Sequence, residues 1–199
     1  HVLPTQEGQR QRTVVELGAG CGMLGISLWK LGCNVVLTDR ADALENLQAN
    51  VDLNSKAASA SGRTPPQVMP LSWDASAECA AVRQQGPFHL IVASDVVFAE
   101  RLVLPLLRTL GALMQTSVTT EAWICLQQRD PDAHAAFLSQ APVYMEMETI
   151  PFAGLPGFEA AVKLDCVLFR LRPRRGQSDD ALAASSQAVK RPRRKVKSP

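Results

Sequence analysis

Gly18, Gly20 and Gly22 separate two short runs of opposite character, and this junction constrains the fold more than any other feature of the chain. Before it, Thr13 to Leu17 (TVVEL) reads as a short apolar strand. After it, Met23 to Leu31 carries apolar residues in a helical pattern. Glycines let a chain turn tightly and let a ligand approach its backbone. The helix that follows offers free N–H groups at its start. Asp39 ends the next β-like run, Asn34 to Thr38 (NVVLT), 19 residues after Gly20. A carboxylate there can accept hydrogen bonds from both ribose hydroxyls of an adenosine cofactor. Strand, glycines, helix and distal acid together predict an adenosine cofactor on a Rossmann-like sheet.

The rest of the body alternates in the same way. Ala41 to Leu53 places Leu44, Leu47 and Val51 on one helical face. A loop rich in Ser, Ala, Gly and Pro covers 55–66, and Gln67 to Leu71 is a third strand. Phe88 to Ala93 is a fourth, with His89 inside it as a structural residue. A helix over Leu102 to Met114 tolerates Pro105 near its start, and Glu121 to Leu126 is a fifth strand. Asp130 before Pro131 is an N-cap that opens a helix through His134 to Leu138. Val143 to Ile150 and Val162 to Leu171 are the last two strands. Their connection is too short for a helical crossover, so they should pair antiparallel. The expected fold is a doubly wound, Rossmann-like α/β domain over 1–171, with a mostly parallel seven-stranded sheet and a terminal antiparallel hairpin.

Composition excludes several alternatives. In 199 residues no run reaches the roughly 18 apolar positions of a membrane helix. Five scattered cysteines without a C-x-x-C pair fit neither a disulfide framework nor a zinc ribbon, and place the chain in a reducing compartment, cytosol or nucleus. The chain begins at His1 rather than Met, so a truncated N-terminal segment is expected. Net charge is +2, but its distribution is uneven. Residues 1–169 hold 11 basic and 17 acidic side chains, a net −6, while 170–199 hold ten Lys and Arg against two Asp, a net +8. Residues 172–199 read as a disordered basic tail. Its cluster of Lys190, Arg191, Arg193, Arg194, Lys195 and Lys197 suits a nuclear import receptor or a solvated terminus. The body has no basic face, which disfavours nucleic acid as a partner.

The cofactor can be narrowed further. Gly20, Gly22 and Gly25 spell G-x-G-x-x-G, a weak match to dinucleotide sites. The other register is E-x-G-x-G-x-G, with Glu16 two residues before Gly18. An acid repels a pyrophosphate but suits S-adenosylmethionine, which has no phosphate and carries a cationic amino group and sulfonium. A nicotinamide dehydrogenase lacks its hydride-transfer partners here: there is no Tyr-x-x-x-Lys pair, and Tyr144 is the one tyrosine.

The segments VVELGAGCG (14–22), VVLTD (35–39), NLQANVDLN (46–54), LSWD (71–74) and SDVVFAERLVLPLL (94–107) resemble the seven-β-strand protein-lysine methyltransferases of family 16. The resemblance spans roughly 13–171. It implies a methyltransferase that uses S-adenosylmethionine and acts on a lysine of a non-histone protein. It places Glu16, Gly18, Gly20 and Gly22 around the methionine part of the cofactor and Asp39 at the ribose. Trp73 would lie beside the adenine, with Asp74 near its amine and Ser94 on the cofactor side. Asp95 and Phe98 occupy the family's D-x-x-Y motif at the substrate mouth. Asp95 would orient the lysine, and the Phe98 ring can hold its ammonium by a cation–π contact before deprotonation. Phe98 stands where the family usually has Tyr. Gln127 and Gln128 precede Arg129, which leaves Arg129 without a local counter-charge. Other acceptors (arginine, histidine, a small molecule) and a silent cofactor-binding scaffold remain as alternatives.

Overall fold

A computed structural model describes residues 12–56, 62–117, 119–152 and 157–174. The tail cluster and residues 1–11 lie outside it. Seven strands form one sheet in the order β3-β2-β1-β4-β5-β7-β6. They are β1 (Thr13–Leu17), β2 (Asn34–Asp39), β3 (Gln67–Pro70), β4 (Leu90–Ser94), β5 (Glu121–Gln127), β6 (Met145–Ile150) and β7 (Cys166–Pro173). The first five run parallel, and β7 pairs antiparallel with both β5 and β6.

The central strands are apolar on both faces because helices cover both faces. Successive side chains of a strand point to opposite sides. Val15 and Leu17 therefore enter one core and Val14 the other. The smaller core packs against α1 (Met23–Lys30) and α2 (Leu44–Lys56), through Ile26, Trp29, Leu47 and Val51. The larger core takes Val82 from α3 (Ser76–Arg83), Leu106 and Leu110 from α4 (Glu100–Met114) and Phe137 from α5 (Pro131–Tyr144). The outer strands differ. Among the described residues β3 and β6 are the outer strands, with one edge each left unpaired, and Pro70, Glu146 and Glu148 blunt those edges.

The fold class and the antiparallel end are as expected, and several local readings are corrected. Helix α3 lies where no helix was expected. A sixth helix, α6 (Glu159–Lys163), occupies the start of the segment read as the last strand. β7 then begins at Cys166 and continues past 171 to Pro173. It inserts between β5 and β6, so the terminal pair is more than an appended hairpin. Val143 and Tyr144 belong to α5, which runs through Pro142. Asp130 caps this helix as read, accepting from the N–H groups of Asp132 and Ala133 at 3.0 Å each. His89 precedes β4 rather than lying inside it. Its Nδ1 accepts from Thr13 N–H at 3.0 Å, which gives it the structural role expected. All five cysteines are free thiols.

Candidate active site

The glycine turn is held by bonds from three directions. Ala19 N–H donates to the Thr38 carbonyl at 2.9 Å, and Gly20 N–H donates to Asp39 Oδ2 at 2.7 Å. Asn50 of α2 donates from Nδ2 to the Cys21 carbonyl at 3.0 Å. Asn50 thereby buttresses the turn from α2. The backbone φ is +56° at Gly20 and +81° at Gly22, a region that side chains disfavour. Gly22 caps α1.

Gly18 is required for space as well. A Cβ there would lie 2.9 Å from Val96 Cγ1 and 3.6 Å from Trp73 Cζ2. That close approach opens a cavity of about 700 Å³ at the C-terminal ends of the strands. It lies where the strand order reverses between β1 and β4, the position at which open α/β sheets bind ligands. Gly18, Asp39, Trp73, Asp74, Asp95 and Phe98 line it. The structure thus brings together six of the residues singled out from sequence. Trp73 serves both cavity and core: its ring packs against the larger core, and its carbonyl accepts from Thr109 Oγ1 at 3.2 Å. Phe98 is 53% exposed, at the open end.

Four other predicted residues are not on the cavity wall. Gly20 and Gly22 shape the turn behind it. Ser94 is exposed at the end of β4. Glu16 is 3% exposed beneath the turn, where its Oε2 accepts from Gly25 N–H at 2.8 Å. Burial pushes the Glu16 carboxyl up to about 7, with the nearby Asp39 charge adding to the rise and the Gly25 bond opposing it. In this structure Glu16 fastens α1 to β1.

Two charged residues on the cavity wall, Arg40 and Arg101, escaped the sequence reading. Arg101 of α4 lines the wall beside Phe98. Arg129 does have a counter-charge, supplied by distant chain: its Nη2 lies 3.0 Å from Asp95 Oδ2. The signal that could have found it is the parallel adjacency of strands four and five. Asp95 itself holds a left-handed backbone, φ +58°, with its N–H on the Cys125 carbonyl at 2.8 Å.

This architecture matches a family model described as lysine methyltransferase over residues 3–142, about seven tenths of the chain. The chain belongs to the lysine methyltransferase family. Over 107 residues it is 38% identical to protein N-lysine methyltransferase METTL21A of Mus musculus, a match covering 51% of this chain and 44% of that protein. Over 165 residues it is 32% identical to ribosomal lysine N-methyltransferase 5 of Lachancea thermotolerans, covering 69% of this chain and 49% of that one. The chain spans about half the length or less of these relatives. Among solved structures, a predicted O-methyltransferase from Agrobacterium tumefaciens superposes with a TM-score of 0.59 at 18% identity, over 82% of this chain and 74% of that one. At that identity the likeness concerns the fold. The family model ends in α5, so β6 and β7 lie beyond the matched segment.

Proposed function

We propose that this chain forms the catalytic domain of an S-adenosylmethionine-dependent methyltransferase acting on lysine side chains of a non-histone protein. The observation that carries this reading is the single cavity wall that holds Asp39 and Trp73 together with Asp95 and Phe98. The first two suit an adenosine and the last two suit an amine.

The donor set supports this cofactor over a dinucleotide. Three carboxylates, Asp39, Asp74 and Asp95, line the cavity. Of the two arginines on the wall, Arg40 is already paired with Asp42. Such a lining repels a pyrophosphate and attracts a cation. Each Asp39 oxygen accepts one backbone N–H, from Arg40 or Gly20, and retains a lone pair for a ribose hydroxyl. Trp73 supplies a flat apolar surface for adenine, and Asp74 an acceptor for its exocyclic amine. When bound, S-adenosylmethionine supplies a methyl group already activated on a sulfonium.

What remains for the protein is to position and desolvate an amine. Asp95 can accept a hydrogen bond from the acceptor nitrogen. The exposed Phe98 ring can hold the lysine chain and its ammonium. A lysine with a solution pKa of about 10.4 must shed its proton before it can accept a methyl group.

Two measurements test the reading. Calorimetric titration with S-adenosylhomocysteine should show saturable binding, and NAD should show none; the reverse would overturn the cofactor. Labelled methyl transfer into a cell lysate, followed by hydrolysis, should put label in methyllysine. Label confined to arginine, histidine or small molecules would overturn the acceptor. We further propose that the chain works in the cytoplasm and the nucleus, with the 190–197 basic cluster offered to an import receptor. Among the described residues no helix is long and apolar enough to cross a membrane.

A further inference from the structure

The open end of the cavity carries an ion pair that the reaction as outlined does not use. Ser94 pairs with Cys125 across β4 and β5, so the two strands end side by side and deliver Asp95 and Arg129 to the same place. Arg129 is fixed from its own strand. Its backbone N–H donates to the Gln127 carbonyl at 2.8 Å and its Nε to Gln127 Oε1 at 3.0 Å. Its Nη2 then reaches Asp95 Oδ2 at 3.0 Å. The Asp95 side chain is 37% exposed and that of Arg129 62% exposed, so the pair contributes little to stability. Its position gives it another use.

A lone Asp95 would bind a lysine best as the ammonium, because an opposite charge nearby favours the protonated form. That is the unreactive form. A carboxylate paired with a guanidinium has almost no net charge to offer, yet Asp95 Oδ1 remains able to accept a hydrogen bond from an amine. We infer that Arg129 is a positioning residue for the acceptor: it fixes the Asp95 carboxylate and cancels its charge, so that lysine is held as the free amine. The ammonium proton leaves to solvent through the open mouth, and no other co-reactant is needed.

The neighbouring charges do not substitute for it. Asp39, Arg40 and Asp74 share the cavity, and Arg40 is taken by Asp42. Arg101 on α4 lines the same wall, but Arg129 is the cation in contact with Asp95 among the described residues. The thiol of Cys125 on β5 lies near Asp95 and against the Cys166 thiol of β7, and burial, with both neighbours adding, keeps Cys125 protonated to higher pH than usual.

The inference rests on the methyltransferase reading, and the experiment separates the two. Labelled transfer into lysate lysine is followed from about pH 6 to about pH 9.5, a range below the free lysine pKa. With R129Q, the rising limb of the rate should move about one unit alkaline, a loss of roughly tenfold near neutral pH that closes at high pH. R129K should return the limb to its wild-type position. In a D95N background, R129Q should no longer move it. Calorimetry with S-adenosylhomocysteine confirms that each variant still folds and binds. An equal fractional loss at every pH, or an unmoved limb, would overturn the positioning role while leaving the methyltransferase reading intact. No methyllysine from the wild-type chain at any pH would overturn both.

Discussion

Glu16 shows that a motif residue can carry structural weight of its own. Its carboxylate accepts from Gly25 N–H and sits under the turn away from solvent. Its pKa of about 7 in the fold compares with about 4.5 when unfolded. Between those values the folded state binds more protons than the unfolded one, so stability falls as pH rises from about 4.5 through about 7. The full penalty above that window is on the order of 3 kcal/mol. Chemical denaturation should find the wild-type chain more stable at pH 5 than at pH 8. E16Q keeps an acceptor for Gly25, and its difference between those two conditions should be smaller. An equal difference in both proteins would remove Glu16 as the cause. Asp39 makes a contrasting prediction. It holds the turn and, in our reading, the ribose, so Asp39→Ala should weaken S-adenosylhomocysteine binding by about 1.5–3 kcal/mol. Calorimetry that returns the wild-type affinity would take Asp39 out of the site. At this scale the sequence made the wall residues legible wherever they lay in a local motif. It could not show that Glu16 faces inward, because a strand's period tells which residues share a face but not which face meets the ligand.

At the scale of elements, the turn between β1 and α1 separates two reasons for a glycine. Among the described residues no atom lies within 4 Å of where a Gly20 Cβ would sit, so its φ of +56° is what resists a side chain. Gly25 has no such φ, but a Cβ would come within 2.1 Å of Leu37 Cδ2 and 2.5 Å of Glu16 Oε2. Gly20→Ala should cost about 1 kcal/mol of backbone strain. Gly25→Ala should cost about 1–3 kcal/mol, because a packed core must move and the helix fastening on Glu16 is disturbed. Urea unfolding of both would reject this account if Gly20→Ala proved the more damaging. Elements were legible in proportion to their number of large apolar anchors. α4 has Val103, Leu106, Leu107, Leu110 and Leu113 buried along one face, and its periodicity stood out. α3 buries only Val82 among alanines and a cysteine, and α6 is five residues long with none buried, so neither gave a period to find. α5 runs further than expected, through Pro142 to Tyr144, although the prolyl nitrogen cannot donate the helix hydrogen bond that its position in the last turn would otherwise make.

For the molecule as a whole, the parallel half of the sheet followed from chain order, since each βα unit places its next strand locally. The antiparallel half did not. β7 enters between β5 and β6 through pairings with sequence separations that no local pattern encodes, and the register runs from Ala122 opposite Leu171 to Gln127 opposite Cys166. The same non-local geometry supplies Arg129 to Asp95. Charge, by contrast, is legible without any structure, and it sets the last prediction. The sheet closes at Pro173, and the basic cluster follows at 190–197, well beyond the cavity-forming elements. Deleting 189–199 removes six positive charges and takes the net from +2 to −4. None of the cavity residues is lost, so S-adenosylhomocysteine affinity and labelled transfer to small lysine peptides should be unchanged. A tagged chain should leave the nucleus, because an import receptor reads such a cluster through its charge. A simple electrostatic tether to polyanions would behave differently. Its release would depend steeply on salt in permeabilised cells, whereas receptor-driven import would depend on transport energy. Unchanged nuclear signal after the deletion would leave the cluster without a role in localisation, and a fall in transfer to peptides would tie the tail to catalysis instead.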